Sequence, residues 1–269
     1  MKLTQKTLLY SFILTSSLSL SAKDYFIQSN TNTIEHSTVK KSVEPVAVEF
    51  SSIDGLAISG NLYEIDKSKP VILLCHQAGF NKKEYAEIAP KLNELGFNCL
   101  AIDQRSGGNL EGTPNETSKR AKAKKLPTRY VDAQQDIEAA ISYLNEKFNQ
   151  KVIVWGSSYS SSFALFESLK NDKVKASISF SPGNYFGSKR QSLEETFSKL
   201  EKPFFVTSSK NESKKLSSSI NANELKENQI QFIPNSGGFH GSKALWSKKK
   251  GNEEYWAAIT QFLNSLTGK

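Results

Sequence analysis

Apolar runs alternate with segments of helical spacing along most of the chain. Uninterrupted runs predict strands covered on both faces: VILLC (71–75), NCLAID (98–103), VIVW (152–155), KASISF (175–180), PFFVT (203–207) and QIQFI (229–233). Segments with apolar positions every three or four residues predict the helices between them: 84–96, 130–148, 163–169, a short helical insert ending at 200, one around 216 and a last one ending at 266. This alternation favours a mainly parallel sheet with helices on both faces.

The first part of this pattern is different. VAVEF (46–50) and LAISGNLYEI (56–65) alternate apolar and polar residues around the turn signal SSIDG, which predicts an antiparallel hairpin. The predicted fold class is therefore α/β, with a mainly parallel central sheet and an antiparallel leading hairpin. In such sheets ligands bind beyond the carboxyl ends of the strands, so the loops there are where we look for chemistry.

The amino-terminal segment has the pattern of an export signal. Lys2 and Lys6 precede the uncharged stretch TLLYSFILTSSLSLSA, which ends at Ala22. This predicts a cleaved signal peptide over 1–22, a flexible leader over 23–43 and one α/β domain over 44–269. An uncleaved anchor is the alternative, but the stretch is short and rich in serine compared with a spanning helix. We expect an exported protein, periplasmic or extracellular, without stable membrane insertion after cleavage.

The formal net charge of +8 changes this picture little. The densest basic run, KRAKAKK (119–125), lies in the polar stretch 104–128 and has no interleaved aromatic residues for stacking bases. We predict a solvated loop there, with contact to an anionic surface as the alternative and no nucleic-acid partner. The chain has two cysteines, Cys75 and Cys99, which we expect to be buried free thiols; with three histidines spread over the chain, no metal-ligand spacing occurs.

Residues 156–160 read GSSYS and resemble the G-x-S-x-G turn that presents a nucleophile between a strand and a helix. Small residues are needed two positions before and after the nucleophile, and Gly156 and Ser160 meet this requirement. The register therefore selects Ser158 rather than Ser157 as the nucleophile. The alternative is a serine-rich helix start in which Ser157 is only an N-cap.

A serine nucleophile needs a base and an acid that orients the base. His240, in the glycine-rich loop NSGGFHGS, is the histidine that follows Ser158, and Glu212 is the first carboxylate past the strand PFFVT. The chain order Ser158, Glu212, His240 is that of the α/β-hydrolase triad. Glu224 and Glu227 are the alternative acids.

The developing oxyanion needs two N–H donors. One is expected from the amide of Tyr159, and the other from the loop after VILLC, where we favour Ala78 and keep Gln77 as the alternative. His76 precedes the nucleophile in the chain, so we interpret it as a structural hydrogen-bonding residue rather than as the base.

The motifs HQAG, AIDQRSGG, GSSYS and FHG together resemble those of small α/β-hydrolases of the dienelactone-hydrolase-like kind, over about residues 44–266. The sequence departs from the family at Gln77, at Ser160 where glycine is usual, and at Glu212 where aspartate is commoner. Asp103 and Arg105 stand where the superfamily has a loop-fixing turn. The short insert before PFFVT implies an open site without a large lid domain, with Tyr185, Phe186 and the polar stretch 107–128 as candidate walls.

From these features we expect an exported serine hydrolase that cleaves an ester or related acyl bond of a small-molecule substrate through an acyl-enzyme. The predicted chemistry needs no metal or organic cofactor. A peptidase or thioesterase with the same triad, and a non-catalytic binding protein that retains the fold, are the alternatives. The acyl and leaving groups and the oligomeric state stay open.

Overall fold

A computed structural model describes residues 43–220 and 225–268 of the chain. The predicted signal peptide (1–22), almost all of the predicted leader (23–43) and Glu224 lie outside the described residues. The strands are β1 Val46–Ser51, β2 Ala57–Tyr63, β3 Val71–Cys75, β4 Asn98–Ile102, β5 Val152–Ser157, β6 Val174–Phe180, β7 Phe204–Thr207 and β8 Gln229–Phe232. The α-helices are α1 Ile88–Glu94, α2 Glu116–Ala123, α3 Gln134–Phe148, α4 Tyr159–Lys170, α5 Leu193–Lys199, α6 Lys210–Ser218 and α7 Asn252–Thr267.

The strands form one sheet of eight in the order β1-β2-β4-β3-β5-β6-β7-β8. β1 pairs with β2 and β2 with β4 in antiparallel fashion, and every later pair is parallel. The predicted fold class, a mainly parallel sheet with an antiparallel leading hairpin, is confirmed.

Helices cover both faces of this sheet. Successive residues of a strand point to opposite faces, so the apolar side chains of each buried strand pack against helices on both sides. On β3, Leu74 packs in the cluster that includes α1 and α7, whereas Leu73 packs in the cluster that includes α3 and α4. All five residues of β3 are buried, which explains why the strand reads as an uninterrupted apolar run. Among the described helices, none is long and apolar enough to cross a membrane.

The cysteine prediction is also confirmed. Cys75 and Cys99 are free and fully buried. In the parallel pairing of β3 with β4, Cys75 lies opposite Ile102 and Cys99 lies opposite Ile72, so the thiols are offset along the strands.

The predicted solvated loop over 119–125 is wrong, because most of this run lies in helix α2. Asn115 caps the helix by accepting a hydrogen bond from the N–H of Ser118 at 2.7 Å. The face toward the protein carries small residues, Thr117, Ser118 and Ala121, while the lysines point outward. Without large apolar residues on the buried face, the sequence has no hydrophobic period that would indicate a helix.

Arg105 fixes the loop after β4, as its position in the sequence predicts. Its side chain is fully buried, and it forms ion pairs of 2.7 Å with Asp136 of α3 and with Asp54 of the leading hairpin. The Arg105 N–H also donates to Asp136 at 2.9 Å. The cluster therefore joins three segments that are distant in sequence.

We predict that Asp136→Ala lowers the free energy of unfolding by about 3–5 kcal/mol, because it leaves the buried Arg105 guanidinium short of a counter-charge. Urea unfolding of the purified domain measures this. The matched control is Glu195→Ala, which removes an exposed ion pair with Lys199 and should cost less than about 1 kcal/mol. Equal, small effects of the two changes would contradict the prediction.

Candidate active site

A tight turn joins β5 to α4, and its central residue is Ser158. Ser158 has φ +56° and ψ −125°, a conformation that non-glycine residues rarely adopt, and its N–H donates to Phe180 O at 2.8 Å. A Cβ atom at Gly156 would lie 2.2 Å from Ser160 O, so only glycine fits where the strand and helix backbones pass. The turn has the geometry that the GSSYS register predicts.

Ser160 occupies the position where the related motif has glycine, and the surrounding groups accommodate its side chain. The Ser160 hydroxyl donates to His76 O at 2.6 Å and accepts from Gln104 Nε2 at 2.6 Å. Because this buried hydroxyl both donates and accepts a hydrogen bond, Ser160 links the turn at Ser158 to the loops after β3 and β4 instead of disturbing it.

The structure brings Ser158, His240 and Glu212 together from three segments that are separate in the sequence. His240 Nε2 lies 2.8 Å from Ser158 Oγ, and His240 Nδ1 lies 2.5 Å from Glu212 Oε1. An ionised carboxylate only accepts hydrogen bonds, so we infer that Nδ1 carries the proton. The lone pair of Nε2 then faces the Ser158 hydroxyl, which is the arrangement a general base needs.

Glu212 differs from its predicted place: it lies in the first turn of α6 rather than on the loop after β7. Its Oε2 accepts the N–H and the hydroxyl of Ser209 at 3.1 and 2.9 Å, which closes a capping box at the helix start. Burial alone would raise the pKa of Glu212, but the hydrogen bond and charge of His240, with the serine hydroxyls, lower it to about 2. The alternative acid Glu227 is exposed and is not a hydrogen-bond partner of His240.

Ser181, directly after β6, is a site residue that the sequence interpretation missed. Its backbone has φ +58°, its hydroxyl donates to Glu212 Oε2 at 2.9 Å, and it accepts the N–H of Gly241 at 3.1 Å. It therefore ties the acid to the loop that carries His240. The sequence did place Ser181 at the carboxyl end of a predicted strand, where site residues are expected. A serine there gives no indication, however, that it would bond Glu212.

The two candidate wall residues on the loop after β6 have different locations, one at the site and one in the core. Tyr185 lies at the site, where its hydroxyl donates to Ser181 O at 2.8 Å and also contacts the side chain of Ser158. Phe186 is buried and stacks on Phe163 of α4 with ring centroids 4.4 Å apart, so it belongs to the core.

The two expected oxyanion donors lie beyond the ends of neighbouring strands, since Cys75 of β3 pairs with Gly156 of β5. Tyr159 is the first residue of α4, so its N–H has no acceptor within the helix. The N–H of Gln77 donates to Glu84 Oε2 at 2.8 Å and is therefore engaged. Of the two amides that the sequence left open, this favours Ala78.

His76 has the structural role that its position predicts. It is fully buried, its Nδ1 lies 2.8 Å from Gln77 O, and its Nε2 accepts the N–H of Gln104 at 3.0 Å. Burial lowers its pKa to about 4, so the ring is neutral at physiological pH with both nitrogens occupied. Among residues 43–220 and 225–268, no cluster of His, Cys, Asp or Glu has the geometry to hold a metal ion.

Comparison with known proteins gives one family and several relatives. The sequence model of the dienelactone hydrolase family matches residues 58–267. The acyltransferase drtE of Aspergillus calidoustus is 30% identical over 162 residues, which cover 59% of this chain and 50% of drtE. The thiohydrolase apmlB of Arthrinium phaeospermum is 29% identical over 141 residues, covering 50% of this chain and 42% of apmlB. The chain thus spans about half the length of the curated relatives it matches.

Solved structures share the fold. The Pyrococcus furiosus esterase Pf2001 superposes with a TM-score of 0.62 at 16% sequence identity, over 84% of this chain and 92% of the esterase. The described residues of this chain therefore have the α/β-hydrolase fold.

We predict that Glu212 makes stability depend on pH between about pH 5 and about pH 2. The pKa of Glu212 is lower in the folded protein than the ordinary 4.5 of an unfolded chain, so ionisation favours the folded state at neutral pH. This contribution is lost as the pH falls, because the unfolded chain takes up the proton first. The difference in unfolding free energy between wild type and Glu212→Gln, measured in urea, should shrink from about pH 6 to about pH 3.

The control for this titration is Glu227→Gln, which changes an exposed carboxylate that does not bond His240. We expect Glu227→Gln to change the free energy of unfolding at pH 6 by less than Glu212→Gln does. A difference between wild type and Glu212→Gln that stays constant from about pH 6 to about pH 3 would contradict the prediction.

Proposed function

The chain belongs to the dienelactone hydrolase family, and on this premise we propose that it is a serine hydrolase that cleaves an ester or related acyl bond. Ser158 is the nucleophile, His240 the base and Glu212 the residue that orients it. The observation that carries the proposal is the pair of hydrogen bonds at His240, 2.8 Å to Ser158 Oγ and 2.5 Å to Glu212 Oε1.

In the first half of the proposed reaction, Ser158 Oγ attacks the acyl carbon while its proton passes to His240 Nε2. The carbonyl oxygen becomes an oxyanion that accepts the N–H groups of Tyr159 and Ala78. When the tetrahedral intermediate collapses, the bond to the leaving group breaks and His240 returns the proton to it. Glu212 stays ionised throughout and stabilises the imidazolium.

In the second half, water attacks the acyl-enzyme and His240 Nε2 takes the proton of that water. The carboxylic acid leaves, and Ser158 regains its proton. About a third of the His240 side chain is exposed to solvent, at 35%, so water reaches the base without the opening of a lid. This access supports a second half of the reaction in which water is the acceptor.

The names of the relatives support an acyl thioester as the second candidate substrate. By name, the relative drtE is an acyltransferase and the relative apmlB is a thiohydrolase, so one name refers to an acyl group and the other to hydrolysis of a bond to sulfur. The triad attacks an acyl carbon with either an oxygen or a sulfur leaving group, so the same residues serve both substrates.

We also propose that the protein is exported. The support is the sequence pattern at residues 1–22, in which two lysines precede an uncharged, partly apolar stretch ending in Ser-Ala.

We predict that a fluorophosphonate probe labels the purified protein at Ser158, with the adduct located by peptide mass spectrometry. Ser158→Ala should abolish labelling and lower turnover by about 10⁴-fold or more, and His240→Ala should slow labelling strongly because the base is gone. The matched control is Ser157→Ala, which removes the neighbouring hydroxyl and should leave Ser158 open to labelling. No adduct on the folded wild type would overturn the proposal and favour a non-catalytic binding protein.

We predict that esters are cleaved at least about tenfold more efficiently, in kcat/KM, than chromogenic peptides with the same acyl group. The panel consists of p-nitrophenyl esters, acyl thioesters and peptide anilides assayed with wild type and Ser158→Ala. Greater efficiency with thioesters than with esters would identify a thioesterase, and greater efficiency with peptides would identify a peptidase.

A further inference from the structure

A buried carboxyl group that the proposed reaction does not use lies beneath the candidate active site. It belongs to Glu84, in the 3-10 helix Lys82–Tyr85 that follows the loop after β3, and the residue has no solvent-exposed surface. Charged residues are almost never fully buried without partners, so the contacts of Glu84 need an explanation.

Three hydrogen-bond donors converge on this carboxyl group. The N–H of Gln77 donates to Oε2 at 2.8 Å, and the Gln77 side-chain amide donates to Oε1 at 3.1 Å. The hydroxyl of Ser157 donates to Oε1 at 2.8 Å. Both oxygens therefore accept hydrogen bonds, two of them from Gln77 in the loop after β3 and one from Ser157 at the end of β5.

These partners are direct neighbours of the proposed reacting groups. Gln77 precedes Ala78, whose amide we assign to the oxyanion, and Ser157 precedes Ser158. Ser157 Oγ also accepts the N–H of Ser242 at 2.8 Å, two residues beyond His240. Through Ser157 and Gln77, one carboxyl group is therefore linked to the segments that carry the proposed nucleophile, the proposed base and an expected oxyanion donor.

The contact between these loops is close enough to transmit a displacement. A Cβ atom at Gly241 would lie 2.6 Å from Ser157 Oγ and 3.4 Å from Gln77 Nε2. The loop of His240 is thus packed directly on the two residues that Glu84 holds. The Glu84 carbonyl is fixed as well, since it accepts Trp246 Nε1–H at 2.8 Å.

We propose that Glu84 is a positioning residue of this site, which sets the distance between the oxyanion amide of Ala78 and the nucleophile Ser158 by binding Gln77 and Ser157 together. The proposal rests on the hydrolase function proposed above. Glu84 does not touch the reacting atoms; it acts through its two partners.

The charge state of Glu84 follows from its surroundings. Burial raises its pKa to about 7, against the lowering effect of the bonds from Gln77 and Ser157. The other titratable groups that face it are Lys243 from the 3-10 helix Ser242–Leu245 and Tyr85 beside it, while β5 and the loop after β3 present only Ser157 and Gln77. Because its partners donate, the ionised carboxylate fits this arrangement better than the protonated acid. The three bonds are therefore complete above about pH 7 and weaken below it.

The first test is Glu84→Gln, which keeps the shape but replaces one acceptor oxygen by a donor. With a p-nitrophenyl ester as substrate, we expect kcat to fall by about tenfold at pH 8 and KM to change by less than about twofold. The ratio of wild-type to variant kcat should rise as the pH increases from about 6 to about 8, because only the wild type ionises there. The matched control is Glu87→Gln in the same segment, whose carboxylate binds Ser247 at the surface and whose loss should leave kcat and the pH profile unchanged.

A second variant separates positioning from folding. Ser157→Ala removes the bond to Glu84, and with it the bond from the N–H of Ser242. We expect the double variant with Glu84→Gln to lose less activity than the product of the two single losses, since both changes break the bond between Glu84 and Ser157. Should Glu84→Gln fail to fold, Ser157→Ala alone is expected to lower kcat a few-fold without changing KM. Multiplicative losses, or a wild-type to Glu84→Gln ratio that is constant with pH, would overturn the proposal while leaving the hydrolase function intact.

A third measurement does not require turnover. In protein labelled with ¹⁵N-glutamine, the amide signal of Gln77 should titrate with a midpoint near pH 7 in wild type and in Ser158→Ala, and should not titrate in Glu84→Gln. A Gln77 signal that is insensitive to pH would overturn the link whether or not the protein cleaves acyl bonds. If the titration occurs and no acyl substrate is cleaved, the link is real and only the proposed function fails.

Discussion

The left-handed backbone at Ser158 is the constraint around which the rest of the site is arranged. It lets β5 turn into α4 without an intervening loop, so the serine side chain stands at the carboxyl edge of the sheet. The conformation is unfavourable for a residue with a side chain and persists only where the surroundings enforce it. Here the missing side chain of Gly156 and the bond from the Ser158 N–H to Phe180 supply that enforcement. The parallel strands β6, β7 and β8 on one side of β5 then bring Ser181, Glu212 and His240, which follow those strands in the chain, to the same edge.

The run of serines around this turn combines one proposed reacting group with a buried polar support. Ser157 and Ser160 flank the turn, and each hydroxyl both donates and accepts, Ser157 with Glu84 and the N–H of Ser242, and Ser160 with His76 O and Gln104. A buried hydroxyl without a hydrogen-bond partner destabilises the fold. Movement of the surrounding loops would remove the partners of Ser157 and Ser160, so this cost holds the loops in place. The network therefore fixes the loops after β3 and β4 against the turn. A glycine at position 160, as in the G-x-S-x-G motif, would have no side chain to make these hydrogen bonds.

The sequence predicts the sheet, its leading hairpin and the register of the nucleophile turn, because these depend on local apolar patterns and on small residues at fixed spacing. It does not predict α2, whose buried face has residues no larger than threonine, nor the helical position of Glu212. The roles of Ser181 and Glu84 are not predicted for another reason: their contacts join residues that are 31 and 73 positions apart in the chain, and such contacts leave no local sequence pattern. Glu84 did leave one trace: it stands four residues before Ile88, on the apolar face of the predicted helix.

Glutamate rather than aspartate at position 212 follows from where the chain places the acid. The residue lies in the first turn of α6, so the carboxylate must reach back toward the helix start to meet His240, and the longer side chain of glutamate spans that distance. On the way it accepts the N–H and hydroxyl of Ser209, so one carboxylate both caps the helix and orients the imidazole. The positive end of the helix dipole favours the ionised form at this position. Capping and orientation thus require the same charge state, and the helix start itself holds the acid in the form that the proposed base needs.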